Sequence, residues 1–316
     1  MSFENLLKEN FAFNINKIEQ AESGWTADGY KVNTDNGEYF LKVYDKDRYS
    51  ILPWLERIDK YIPVLLRLEK DPFLGKHIPM LCKTVDGHHK TEDKKYVLLL
   101  FAFINGKTIG HKQLTLKQAK ELASIIGHLH KYSRQTFMPI PAIKEDTSLS
   151  FCLKLQKLLT CNDLDKPMLS IFQQYDKQLV KALALIFYLH KQKRSGYRNL
   201  VLCHTDAHNW NIMQANSLLL LDWEGLCFAP AEADLFMFYS QYYFKDFMRE
   251  YQKIHLDYHL NQDLLYYYLL RRKFQDIWEF ISQILFDNLD EKTKEDVYKL
   301  LQKECSQLKP LLKSFN

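Results

Sequence analysis

Apolar positions along this chain follow two periods, and the change from one to the other falls near Gly106. Before it, alternation dominates. Tyr30-Lys31-Val32 and Tyr39-Phe40-Leu41-Lys42-Val43-Tyr44 flank Thr34-Asp35-Asn36-Gly37, which predicts two strands joined by a tight hairpin. Tyr96 to Phe103 predicts a buried strand that Asn105-Gly106 ends. Between them, residues 50–69 predict the one helix of this region, and Pro53 and Pro63 leave its start open. After Gly106 the period becomes helical. Thr115 predicts an N-cap, and Leu116, Ala119, Leu122, Ala123, Ile126 and Leu129 line one helix face behind it. Helices are predicted near 149–159 and 169–193. Short strands at Leu200–Cys203 and Leu218–Leu221 bracket the polar run His204 to Asn211, and helix is predicted from Asp234 onward. The expected architecture is α+β and bilobal: a small β-rich lobe over 1–104, a hinge at about 101–106, and a larger, mainly helical lobe over 105–316.

Composition agrees with two lobes around a cleft. The chain has 316 residues, 47% of them hydrophobic, enough for a substantial core. A net charge of +4 is small for this size. The densest basic cluster, Arg271-Arg272-Lys273, sits inside an apolar helical pattern and reads as a solvated helix face, so nucleic acid is not an expected partner. Six scattered cysteines without a C-x-x-C pair argue against a disulfide framework or a zinc site. The N-terminus has no signal-peptide core, and the longest apolar run, Val97 to Ile104, is too short to span a bilayer. No membrane partner is expected, and a cytoplasmic location is.

The chemistry concentrates in Cys203-His204-Thr205-Asp206-Ala207-His208-Asn209-Trp210-Asn211 and in Asp222-Trp223-Glu224. Phosphoryl transfer from a nucleotide needs a carboxylate to take the acceptor's proton, oxygen ligands for Mg²⁺, and a cation to fix the phosphates. The H-x-D-x-x-x-x-N spacing offers Asp206 as base with Asn211 as an amide ligand. Asp222, just after the next strand, offers a second hard oxygen. Lys42 lies mid-strand in an apolar run after the hairpin, where it is either an edge-strand charge or the phosphate-binding cation. Its carboxylate partner is expected on the following helix, at Glu56 or, one turn later, Asp59.

These residues, with Leu221-Asp222-Trp223-Glu224, Ala229-Pro230, Asp234-Leu235, Phe40-Leu41-Lys42, the hinge Phe101-Ala102-Phe103-Ile104-Asn105-Gly106 and Leu129-His130, resemble the aminoglycoside phosphotransferase and choline kinase family, a branch of the protein-kinase-like fold. The wording around Val201–Asn211 and Asp222–Leu235 is most similar to spectinomycin phosphotransferases. The resemblance runs from about residue 22 to 240. It implies ATP or GTP and Mg²⁺ as cofactors, Asp206 as base, Asn211 and Asp222 as metal ligands, and Lys42 on the nucleotide phosphates. It further implies that backbone groups near Phe101 and Phe103 meet the purine, that Asp234 braces the catalytic loop, and that His204 orients backbone. Two departures stand out. The phosphate-covering turn from Glu22 to Tyr30 has only two glycines, and Thr205 and Trp210 stand where the family often has small residues.

Rival readings use the same residues differently. His204, Asp206 and His208 could ligate a hydrolytic metal, but that leaves Lys42, Asn211 and Asp222 idle. His255 and His259 have helical metal spacing without the glutamate of a zincin. A catalytically inactive nucleotide-binding module is a third reading. For the acceptor, an aminoglycoside- or aminocyclitol-like cation is expected, with Glu232 and above all Asp276, which interrupts an apolar helix face, as contacts. A kinase for a housekeeping amino alcohol or sugar such as choline, homoserine or methylthioribose is the alternative.

Overall fold

The computed structural model describes residues 2–21, 24, 26–135, 143–161, 163–192 and 199–315. The N-terminal lobe is a five-stranded antiparallel sheet in the order β1-β2-β3-β5-β4. Its strands are β1 (Ile15–Gln20), β2 (Asp28–Thr34), β3 (Gly37–Asp45), β4 (Thr91–Glu92) and β5 (Tyr96–Ala102). The hairpin falls where the sequence put it. Thr34 pairs with Gly37 across Asp35-Asn36, and Gly37 takes a positive φ of 131°.

Alternation then decides which side chain faces what. Leu41 and Val43 of β3 point to one face, where they pack with Val32, Leu98, Leu100 and with Leu6, Leu7 and Phe11 of the N-terminal segment. That segment forms helix α1 (Phe3–Asn10), capped by Ser2, a second helix that hydrophobic patterning did not predict. Lys42 and Tyr44 consequently share the opposite face, toward the other lobe.

Helix α2 (Leu52–Leu68) covers that second face, entered by a short 3₁₀ turn at Tyr49–Ile51. Pro53 sits in its first turn, where no N–H is required. Pro63 lies inside it and does not end it, because Ile58, Ile62 and Leu65 on either side are buried in the shared core.

The hinge leads to β6 (Lys107–Thr108) and α3 (Leu116–Gln135). The α3 N-terminus is a capping box: Gln118 N–H donates to Thr115 Oγ1 (3.3 Å) and Thr115 N–H donates back to Gln118 Oε1 (2.9 Å). The C-terminal lobe adds α4 (Ser150–Leu158), α5 (Lys166–Gln192), α6 (Glu232–Leu235), α7 (Phe244–Ile254), α8 (Gln262–Phe286) and α9 (Glu291–Lys313). Short strands β7 (Val201–Cys203), β8 (Ile212–Gln214), β9 (Leu218–Leu220) and β10 (Cys227–Ala229) form two small sheets, β10-β7 and β6-β8-β9. The architecture is thus α+β and bilobal, as expected. One apolar cluster runs from Tyr44 and Ile58 through Leu122 and Val201 to Leu308, so the lobes share a core as well as a hinge. No helix among the described residues is long and apolar enough to cross a membrane.

Replacing fully buried Leu100 by Ala should destabilise the protein by about 2–5 kcal/mol, and Thr115→Ala by about 1 kcal/mol. Chemical denaturation of both variants checks the ranking; equal losses would show that the sheet core and the helix cap are wrongly weighted here.

Candidate active site

The polar run between β7 and β8 has no regular hydrogen-bond ladder of its own, so side chains hold its shape. Fully buried Asp234 does most of this. Its carboxylate accepts from the backbone N–H of His204 (3.0 Å) and of Thr205 (2.5 Å) and from His130 Nε2 (2.9 Å). Nδ1 of the same His130 ring accepts from the Tyr251 hydroxyl (2.8 Å). Thr205 sits at φ 67°, a left-handed conformation that a β-branched residue adopts only under external constraint. Its hydroxyl donates to the Gly225 carbonyl (3.0 Å), and a Cβ on Gly225 would lie 2.4 Å from that hydroxyl, so only glycine fits there. His204 is buried with both ring nitrogens occupied: Nε2–H donates to the Leu221 carbonyl (2.9 Å) and Nδ1 accepts from Asp206 N–H (3.3 Å). Burial pulls its pKa below the ordinary value, so the ring stays neutral and orients backbone.

Asn211 and Asp222 come together through the backbone. Leu221 N–H donates to the Asn211 carbonyl (2.8 Å), so the residue that follows Leu221 starts next to the end of the catalytic loop. Asn211 Nδ2 donates to the Asp206 carbonyl and to Asp206 Oδ2, both at 2.9 Å, which leaves its amide oxygen as the group available to a cation. Asp222 also has positive φ (66°), which turns its carboxylate away from the β9 direction toward the N-terminal lobe. Lys42 meets it there. The ammonium pairs with Asp222 Oδ1 and with Glu224 Oε1 (2.6 Å), and Glu224 also accepts from the Tyr44 hydroxyl. Burial alone would lower the Lys42 pKa, but the two carboxylates hold it above its ordinary value. Burial would raise Asp222, yet the Lys42 charge keeps it low; Glu224 is raised by burial and by Asp222. The Asp222 carboxylate and the Asn211 amide oxygen are hard donors of the kind Mg²⁺ takes. Gly24 lies over this point, since a Cβ built on it would stand 3.7 Å from Asp222 Oδ2. Glu22, Ser23 and Trp25 of the expected phosphate-covering turn lie outside the described residues.

The side of Asp206 away from Asn211 is closed by α8. Asp206 Oδ1 accepts from Arg272 Nη1, while Arg272 Nε pairs with Asp276 (2.8 Å) one turn along. Glu279 is the next residue on this face. Burial, reinforced by the Asp276 charge, pushes the Glu279 carboxyl up to about 7. Burial likewise raises Asp276 despite Arg272. His208 Nε2 stands 3.5 Å from Asp206 Oδ1.

Several expectations need correction. Glu56 is exposed on α2 and does not partner Lys42; the neighbouring Arg57 turns inward and donates to the Gly225 carbonyl (2.9 Å). Asp59 pairs with Lys90 (2.8 Å). The partner role belongs to Glu224, two residues past Asp222, and the alternation that put Tyr44 beside Lys42 was the available signal. Glu232 does not reach the acceptor side. It is buried and accepts from the Tyr258 hydroxyl (2.7 Å) and Asn261 N–H (2.9 Å), tying α6 to the start of α8. At the hinge, Phe103 N–H is committed to the Glu38 carbonyl (3.1 Å) and Phe101 pairs with Phe40, so these backbone faces serve the sheet. Trp210 packs edge-to-face on His111 against Gly110. Arg271-Arg272-Lys273 is no solvated face: Arg271 is buried against Glu145, Tyr267 and the Asp146 carbonyl, Arg272 holds Asp206, and Lys273 holds Glu304. Charges this dense in an apolar helix, with an acid at i+4, were the signal that reading passed over. With both nitrogens of His204 bound to backbone, the His204/Asp206/His208 metal set loses its first ligand. His255 is buried with Nε2 on the Gly127 carbonyl (2.8 Å), and His259 is exposed.

Comparison with known proteins follows the same lines. Among solved structures, the chain is similar to a spectinomycin phosphotransferase in complex with ADP and spectinomycin (TM-score 0.74, 20% identity, 95% of this chain and 92% of that one). It is also similar to a microcompartment-associated aminopropanol kinase (0.65, 14%, 94% and 93%). A third is the choline kinase of Streptococcus pneumoniae (0.60, 14%, 93% and 94%). At these identities the likeness establishes the shared kinase-like fold. No curated protein matches. The sequence profile of the phosphotransferase enzyme family matches residues 17–270, most of the chain, including Lys42, the whole 204–211 loop and Asp222, and the chain therefore belongs to that phosphotransferase family.

Proposed function

We propose that this protein is a cytoplasmic, Mg²⁺-dependent small-molecule kinase that transfers the γ-phosphate of ATP or GTP to a hydroxyl of a cationic, aminoglycoside- or aminocyclitol-like acceptor. The observation that carries the reading is the chain of contacts Lys42–Asp222, Leu221–Asn211 and Asn211–Asp206, which draws an ammonium from one lobe and a base from the other to one point. Asp206 takes the proton of the acceptor hydroxyl as its oxygen bonds to the γ-phosphorus and the bond to the nucleotide diphosphate breaks. Asn211 fixes the orientation of that carboxylate. Lys42, held charged by its two acids, is suited to the nucleotide phosphates. Mg²⁺, held by Asp222 and the Asn211 oxygen, would neutralise phosphate charge.

The acceptor side favours a cation. Asp206, Asp276 and Glu279 carry more negative charge between them than Arg272 offsets once Glu279 ionises. An ammonium on the acceptor would find Asp276 one turn and Glu279 two turns beyond the arginine that holds the base. Neutral sugars gain nothing from this arrangement.

A coupled assay of ADP release over aminoglycosides, spectinomycin, choline, ethanolamine, homoserine and methylthioribose tests the reading. One cationic acceptor should elicit release, and Asp206→Asn should lower it by about 10²–10⁴-fold. Silence with every acceptor, in protein that still binds nucleotide, would favour the inactive binding module.

Glu279 gives a second expectation with a defined sign. Its raised pKa leaves it neutral below about 7 and anionic above, amid Asp276, Arg272, Asp206 and Arg48. The acceptor KM should therefore fall as pH rises through 7, and Glu279→Gln should flatten that dependence while kcat changes little. An equally steep profile in the variant would remove Glu279 from the acceptor side.

A further inference from the structure

The catalytic carboxylate has no free oxygen in this structure. Oδ2 accepts from Asn211 Nδ2 at 2.9 Å, and Oδ1 accepts from Arg272 Nη1 with His208 Nε2 at 3.5 Å. The bond from Asn211 belongs to the loop itself. The bond from Arg272 comes from α8, 66 residues away, and α8 is built to deliver it. On one side, Arg271 is anchored by Glu145, Tyr267 and two carbonyls of the 146–148 segment; on the other, Lys273 is anchored by Glu304 and Gln307. The helix cannot rotate between these anchors, so Arg272 projects at Asp206. Asp276 grips its Nε at 2.8 Å, leaving the far end of the guanidinium for Asp206. The pair is open to a ligand, with side-chain exposures of 32% for Arg272 and 27% for Asp206.

With a donor on each oxygen, Asp206 meets an incoming hydroxyl only where one of those donors gives way. We propose that Arg272 is a positioning and specificity residue that occupies the acceptor's place on Asp206, so that only a cationic alcohol frees the base and water does not. The inference rests on the kinase reading above. An acceptor ammonium competes with the guanidinium for Asp276 and Glu279, which loosens Arg272 while its own hydroxyl takes Oδ1. A water molecule carries no charge to make that exchange. If it did reach the base, it would pass its proton to Asp206 as its oxygen bonded to the γ-phosphorus. The bond to the ADP oxygen would break, giving ADP and phosphate.

The test is ATP hydrolysis by the full chain with Mg²⁺ and no acceptor, in wild type, Arg272→Gln and Arg272→Lys, with Asp206→Asn as blank. Arg272→Gln should hydrolyse ATP roughly twofold to fivefold faster than wild type, the factor expected for releasing a carboxylate from a partly exposed ion pair. Its ratio of transfer to hydrolysis should fall, and Arg272→Lys should lie between. A purely structural role would lower transfer and hydrolysis together, and thermal melting of each variant identifies that case. Unchanged or slower hydrolysis in folded Arg272→Gln, in a protein whose wild type shows Asp206-dependent transfer, overturns the proposal alone. Absence of Asp206-dependent phosphate release in every variant and with every acceptor overturns it together with the kinase reading.

Discussion

The ammonium of Lys42 between Asp222 and Glu224 is the constraint on which the rest of the site hangs. It joins residues 180 and 182 positions apart and spans the two lobes. Taking three charges out of water costs several kcal/mol per ion, and close opposite charges offset it only with good geometry and satisfied remaining donors and acceptors. The Tyr44 hydroxyl on Glu224 is part of that satisfaction, and Tyr44 stands there because β3 alternates. Neither acid alone would suffice. Glu224 is the more deeply buried partner of the lysine, and Asp222 is the one that stays partly open to the cleft. The trio carries a net negative charge, so a cation entering the cleft meets attraction and not a neutral pocket.

Across the cleft, the 204–211 loop is stiff for reasons that lie outside it. Asp234 ties two consecutive backbone amides to a buried His130–Tyr251 pair, and Gly225 makes room for the Thr205 hydroxyl. The unfavourable φ values at Thr205 and Asp222 are the local expense of aiming the carboxylates of Asp206 and Asp222. Thr205 in place of a smaller residue is accommodated because its hydroxyl finds the Gly225 carbonyl.

How much of this could be read from sequence depended on whether an interaction was local. The hairpin, the Thr115 cap and the H-x-D-x-x-x-x-N loop are set by contacts within a few residues, and they emerged with sound boundaries. Strands β8 and β10, only three residues each, are too short to show alternation, and each takes a partner far back in the chain, β6 for β8 and β7 for β10. The partner of Lys42 was sought on the next helix because helices follow strands in sequence. The partner instead sits two residues beyond Asp222, visible only once β3 and the 222–224 turn face each other. Glu232 illustrates the opposite error. An acid near the motif invites a functional role, yet two neutral donors satisfy it in the interior.

Arg272 shows why a dense run of charge in an apolar helix is informative. Three consecutive residues on a helix point about 100° apart, so they cannot share one solvated face. When all three are charged and the helix is otherwise buried, each must find its own partner. Here those partners are Glu145, Asp206 and Glu304 of the neighbouring helix α9. The same rotation that buries Arg271 and anchors Lys273 leaves Arg272 one direction, toward Asp206. The wall beside Asp206 is therefore a consequence of how α8 packs, and its charge pattern, acids at 276 and 279 behind a cation at 272, is set by the helix period.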